Sequence, residues 1–193
     1  MPWPEAGVLS ASGQTAHIAL QALKVQKGET ILIHAAAGGV GAYAVQLAKA
    51  WGATVIGTAS PHNHDYLRSL GAIPVAYGDG LVERVRKLAP NGVDAALDAA
   101  GEEALHASVE LVENRKRIGT IVSFELAAKL GTLSIRSQRS VSRLSELVRL
   151  YEQGQIRIVV SRAFPMHQAA EAHKAVETRH VRGKVVLLID KIQ

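Results

Sequence analysis

The stretch ETILIHAAAGGVGAYAVQLAKAWGATVIGTAS, from Glu29 to Ser60, constrains the fold more than any other part of the chain. An apolar run, Thr30–Ile33, leads into a turn of residues without bulky side chains. A helical pattern follows over Val40–Trp51, with Val40, Tyr43/Ala44 and Leu47/Ala48 on one face. A second apolar run, Thr54–Thr58, comes next, bounded by WGA and ASPHN. Two strands joined through a helix by such short connections read as a parallel β–α–β unit.

The alternation continues. Asp65–Leu70 is helical and stopped by Gly71, Pro74–Ala76 reads as a short strand, and Leu81–Leu88 as a helix ended by APNG. Val93–Leu97 and Arg117–Val122 are further strands around the helix Glu103–Val112. A short sixth strand near Thr132–Arg136 and a helix over Val141–Tyr151 complete the set. Right-handed crossovers then put helices on both faces, so the fold class is α/β, a doubly wound parallel sheet of about six strands. With a leading helix at Thr15–Leu23, this unit occupies residues 1–154. After Gly154 the pattern changes to an extended Gln155–Phe164, a helix Met166–Thr178 and the apolar run RGKVVLLID, which reads as a second, incomplete unit over 155–193. There is no internal repeat and no low-complexity linker.

Aromatic residues make up only 4% of the 193, so the core is built from Ala, Val, Leu and Ile, which suits close helix-on-sheet packing. The absence of cysteine excludes disulfides, thiolate zinc sites and a cysteine nucleophile. The first residues show no signal peptide and no apolar run is long enough to span a membrane, so a reducing cytoplasm is the expectation. A net charge of +5 would fit nucleic acid, but the basic residues are scattered. Their densest run, Arg136–Arg149, carries an apolar stripe of Val141, Leu144, Leu147, Val148 and Tyr151 and reads as a solvated helix face.

HAAAGGVG, His34–Gly41, is set against the dinucleotide fingerprint G-x-G-x-x-G by Gly38 and Gly41, with Ala36 in place of the first glycine. Small residues here serve tight packing or let a pyrophosphate approach the backbone at a helix N-terminus. The loop follows the first strand of the repeated unit, where the fingerprint belongs. About twenty residues on, an acidic residue would hold ribose hydroxyls and repel a 2′-phosphate. The chain has Thr58, Ala59 and Ser60 there, then His62, Asn63, His64 and Arg68, which favours NADPH over NADH, tempered by Asp65. His62 and His64 make a poor metal pair, since residues two apart diverge on a helix. At the end of the fourth strand, Asp98 reads either as a loop-capping carboxylate or as part of a ligand edge, and the small Ala100–Gly101 pair leaves room for a nicotinamide ribose. Ser123–Phe124 ends the fifth strand at the same edge. No nucleophile elbow or triad order is present, and adjacent Glu102 and Glu103 point apart on a helix.

The segments GQTAHIALQALKVQKGETILIHAAAGGVGAYAVQLAKAWGATVIGTAS, RSLGA, VDAALDAAG and AAEAHKAVETRHVRGKVVLLID resemble the medium-chain dehydrogenase/reductase superfamily, in its zinc-independent quinone oxidoreductase branch. That branch writes its phosphate loop A-x-x-G-x-x-G, which Ala35, Gly38 and Gly41 satisfy. The resemblance implies a Rossmann domain binding NADPH, with Thr15 near the nicotinamide, Gly39–Val40 at the pyrophosphate, and Ser60, Asn63 and Tyr77 toward the 2′-phosphate. Asn63 stands where the branch often has Lys or Arg, and Ala11 where zinc-dependent relatives have a cysteine ligand. It also implies a small-molecule substrate (a quinone or enone) and a homodimer. Family members carry an N-terminal GroES-like domain of roughly a hundred residues before this point. Without it the tail is expected to belong to an incomplete catalytic domain, exposing apolar surface or self-associating, and the stretch from Ser123 to Ile135 looks short. The expected function is NADPH-dependent reduction of quinones or activated double bonds, represented by its cofactor-binding portion. The alternatives are a non-catalytic nucleotide-binding or interaction module, and enoyl-thioester reduction.

Overall fold

Ile31, Leu32 and Ile33 are all fully buried, which places β1 (Thr30–Ile33) inside a sheet covered on both faces. The computed structural model describes residues 1–178 and 181–189. Before β1, α1 (Trp3–Val8) runs through a wide turn at Leu9–Gly13 into α2 (Gln14–Ala22). After it come α3 (Gly41–Ala50), β2 (Thr54–Thr58), α4 (His64–Ser69), β3 (Ile73–Val75) and α5 (Leu81–Leu88). The chain then returns to the other side of β1 through β4 (Ala95–Asp98), α6 (Glu102–Leu111), β5 (Ile118–Thr120), α7 (Phe124–Leu130), β6 (Leu133–Ser134) and α8 (Val141–Glu152). The sheet order is β3-β2-β1-β4-β5-β6 and every pair is parallel.

Strand alternation divides the core in two. Ile31 and Ile33 pack with Leu20, Leu47 and Leu147 of α2, α3 and α8. Leu32 faces the other way, with Val85, Leu105 and Ala127 of α5, α6 and α7. The doubly wound sheet expected from the alternation is therefore present. Its strand ends shift by a residue or two: Ile73–Val75 rather than Pro74–Ala76, and Ala95–Asp98 rather than Val93–Leu97. Phe124 is a correction. It opens α7 instead of ending the fifth strand, which closes at Thr120.

Beyond α8, β7 (Val160–Pro165) and β8 (Lys184–Leu188) form a separate parallel pair joined through α9 (Ala169–Glu177). Ile156 and Ile158, just ahead of β7, are buried in the same cluster as Ile33 and Leu147. Gly183 enters β8 with φ of +61°, and a Cβ there would lie 2.3 Å from the Val159 carbonyl, so only glycine fits this crossing. Part of the tail's apolar surface is open, with Leu188 at 40% and Ile189 at 78% exposure.

At the amino edge of the sheet, Arg117 clasps Glu29 through two bonds, Nη1–Oε1 at 3.0 Å and Nη2–Oε2 at 2.6 Å. The pair is four-fifths buried and ties the entrance of β5 to that of β1. The Arg117 bond, helped by the Gln26 amide and opposed by burial, holds the Glu29 carboxyl below its ordinary 4.5. A lowered folded-state pKa stabilises the fold above the unfolded value, and the contribution is lost as the pH falls below it. Glu29→Gln should therefore cost about 1–2 kcal/mol near pH 7. Urea unfolding should show that difference shrinking by about pH 3.5; an equal difference at both pH values would contradict the assignment.

Candidate functional site

The chain leaves β1 toward β2 and later returns on the opposite side to β4, so the carboxyl ends of β1 and β4 flank a crevice where the strand order reverses. The turn after β1 is held by β2. Ala35 N donates to Thr58 Oγ1 at 3.1 Å and Ala36 N to Thr58 O at 2.9 Å. Ala35 sits in the left-handed region at φ of 51°, and Gly38 N closes back on its carbonyl at 3.0 Å. Helix α3 then starts directly against this turn. A Cβ on Gly41 would lie 2.3 Å from Ala35 O and 2.7 Å from Ala36 Cα, both backbone atoms that cannot yield.

Above the turn opens a groove of about 1460 Å³. That exceeds the roughly 300–1,000 Å³ of ordinary small-ligand sites. Its floor is His34, Ala35, Ala37 and Gly38; one wall carries Ser60, Asn63 and Tyr77, the other Ala100 and Gly101 with α6 behind them. Of the residues singled out in the sequence, Ala35, Gly38, Thr58, Ala59, Ser60, Asn63, Tyr77, Ala100, Gly101, Glu102 and Glu103 meet in this groove. The others stand outside its lining. Thr15 lies on α2 with its hydroxyl donated to Ala11 O at 2.7 Å. Ala36 is fully buried beneath the turn. Gly39 lies under the C-terminal segment, where a Cβ would meet Lys184 Cδ at 2.6 Å. Val40 and Gly41 form the α3 entrance. Ser123 donates its amide to Thr120 Oγ1, and the Phe124 ring carries the Arg136 guanidinium 4.5 Å above it.

Asp98 resolves as the loop cap. Fully buried, it accepts Ala100 N at 2.8 Å and Gly101 N at 2.9 Å on Oδ1, and the Thr120 hydroxyl at 2.6 Å on Oδ2. Thr120 Oγ1 in turn accepts Val122 N and Ser123 N. One carboxylate thus fixes the ends of β4 and β5 together, with every bond charge-assisted or relayed.

Two residues that shape the groove escaped sequence reasoning, one behind a wall and one in the floor. Arg84 of α5 donates to the carbonyls of Ala76, Tyr77, Gly78 and Asp79, which sets the loop that carries Tyr77. His34 lies in the floor, its Nε2 3.0 Å from Ser108 Oγ. The Ser108 hydroxyl is already donated to Ala104 O at 2.8 Å, so His34 must donate and carries its proton on Nε2. Burial pulls the His34 pKa down to about 4 against the opposing pull of Asp98, so the floor is neutral at physiological pH. Among the described residues no group of three His, Asp or Glu side chains could hold a metal ion, and no helix is long and apolar enough to cross a membrane.

The six-stranded order, the small-residue turn and the crevice at the strand reversal define a Rossmann-type α/β domain of the dehydrogenase kind. The family described as zinc-binding dehydrogenase matches residues 70–187, more than half of the chain. The chain belongs to that family, within the medium-chain dehydrogenase/reductase superfamily. It is 33% identical to a quinone oxidoreductase of Pseudomonas aeruginosa over 209 residues, an alignment spanning 95% of this chain and 63% of that protein. Among solved structures it superposes on an NAD-dependent alcohol dehydrogenase with a TM-score of 0.85 at 30% identity, covering 98% of this chain and 60% of the other. A mycobacterial protein complexed with NADPH gives 0.84 at 27% identity, covering 97% and 65%. The chain therefore spans about three-fifths of the length of these relatives.

His34, with its folded pKa depressed, stabilises the fold fully above the ordinary value of 6.5, and that contribution drains away as the pH falls toward about 4. The slope should approach about 1.4 kcal/mol per pH unit. An NMR titration should find its ring neutral well below pH 6.5 and protonating only as the pH nears about 4. Protonation near the ordinary value in the folded protein would contradict the buried, Nε2-bonded state.

Proposed function

We propose that this chain is the cofactor-binding portion of an NADPH-dependent, zinc-free oxidoreductase that reduces quinones or other activated double bonds. The observation that carries the reading is the groove at the β1/β4 reversal, floored by a turn whose backbone is bare of side chains at Gly38. The fit of the group rests on that cradle. A Cβ at Gly38 would meet only Ala35 O, at 3.2 Å, from within the turn, so the approach from the groove stays open to a pyrophosphate. The first-turn amides and dipole of α3 complement its charge. Ser60 and Asn63 stand at the ribose end without a carboxylate between them and the end of β2, which favours the 2′-phosphate. Ala100 and Gly101 leave space for the nicotinamide ribose, and Thr15 is assigned to the nicotinamide from the family resemblance. The nicotinamide, when bound, supplies the hydride; the protein's part is orientation and electrostatic complementarity.

The family description names zinc, but this chain has no cysteine and its described residues offer no ligand cluster, so they do not fit a zinc centre. The substrate class is supported by the name of the Pseudomonas relative and by no single side chain here. A cytoplasmic homodimer acting on small molecules completes the reading.

Calorimetric titration of the 193-residue chain should detect NADPH binding below about 1 mM, tighter than NADH by about threefold or more. Silence from both cofactors at millimolar concentration would contradict the proposal.

A further inference from the structure

The C-terminal segment lies across the two turns that build the ribose end of the groove. Gly183 N donates to Ala37 O at 3.0 Å, which pins the segment to the turn after β1, and Lys184 N donates to Val159 O at 2.9 Å. Between these anchors and the turn after β2, Arg182 makes two bonds: Nε to Asn63 Oδ1 at 2.6 Å and Nη2 to the His62 carbonyl at 2.7 Å. With its oxygen committed to Arg182, the Asn63 amide turns its NH₂ toward Ser60 Oγ, 3.4 Å away. Ser60, Asn63 and Val181 line the same end of the groove.

Both of these acceptors of Arg182 are neutral oxygens, the guanidinium also lies 5.9 Å from the centre of the Tyr66 ring, and among the described residues no carboxylate forms an ion pair with it. The nearest acid in sequence to Asn63 is Asp65, which pairs with Arg68 at 2.6 Å. A guanidinium satisfied only by neutral acceptors keeps its full charge for an anion, and its planar fork suits phosphate oxygens.

We propose that Arg182 supplies the positive charge that selects the 2′-phosphate of NADPH, delivered from the C-terminal segment rather than from the turn after β2. This rests on the NADPH reading above. Asn63 and Ser60 act with it as neutral donors, and Arg182 holds the Asn63 amide in the orientation that makes this possible.

The test is calorimetric titration of the 193-residue chain and its Arg182→Gln and Arg182→Lys variants with NADPH and with NADH. Gln leaves a neutral donor for Asn63 and removes the charge; Lys keeps the charge. For Arg182→Gln the Kd for NADPH should rise about tenfold while that for NADH stays within about twofold. Arg182→Lys should retain most of the preference, and the NADPH affinity of the Gln variant should depend less on salt. Equal weakening toward both cofactors would show that Arg182 only holds the turn, and no weakening that it is a bystander; either overturns the proposal. Wild-type chain that binds NADPH and NADH equally well overturns it while leaving the dinucleotide site standing. Wild-type chain that binds neither removes the functional reading itself. Melting temperatures recorded without cofactor separate a loss of fold from a loss of charge.

Discussion

The contact on which the rest depends is the approach of the α3 entrance to the turn after β1. At Gly41 a single added carbon would sit 2.3 Å from a backbone carbonyl, so the helix can lie this close only because that carbon is missing. Closeness there has consequences in three directions. It lets Val45, Leu47 and Ala48 of α3 bury themselves against the sheet. It fixes the turn that Thr58 holds through two further bonds, so the ends of β1 and β2 keep one relative position. It also presents the Ala37 carbonyl to Gly183, through which the last strand pair is fastened to the site.

The groove that results is electrically uneven. On the side of the turns, the α3 dipole, Arg182 and Lys184 favour an anion, and buried His34 adds no charge of its own. On the far side, Glu83, Glu102, Glu103 and Glu110 line the opposing helices. This unevenness supports the proposed placement of phosphate groups at the β1–β2 corner. The two walls of the groove are carried by loops fixed from behind, with Arg84 holding the Tyr77 loop and Asp98 the Ala100–Gly101 loop. The bonds doing this are buried or multiply made, which keeps the walls in place without a ligand.

The sheet was legible because its signal is local: short apolar runs separated by small-residue turns and helical stripes. The two Gly-Ala-rich turns at Gly38–Gly41 and Ala100–Gly101 were legible for the same reason. Phe124 was misplaced although FELAAKLG carries good helix formers and a glycine stop, with Gly131 left-handed at φ of 71°. The apolar run before it, ending in Val122, masked the change from strand to helix. Thr15 rested on resemblance, and the structure leaves its hydroxyl on Ala11 O. Arg182 was invisible to any local reading, because its partners His62 and Asn63 lie 120 and 119 residues away. His34 read as part of a small-residue loop; its burial and its bond to Ser108, 74 residues on, exist only once the sheet has formed.

The central claim is that a dinucleotide lies over the turn between β1 and α3 with its 2′-phosphate at the β2 corner. Backbone-amide NMR of the ¹⁵N-labelled chain during NADPH addition tests this most directly. The account predicts the largest shifts at Gly38, Gly39, Val40 and Gly41, with a second group at Ser60 and Asn63 that NADH moves less. Saturable shifts concentrated elsewhere, with the Gly38–Gly41 amides unmoved, would contradict it.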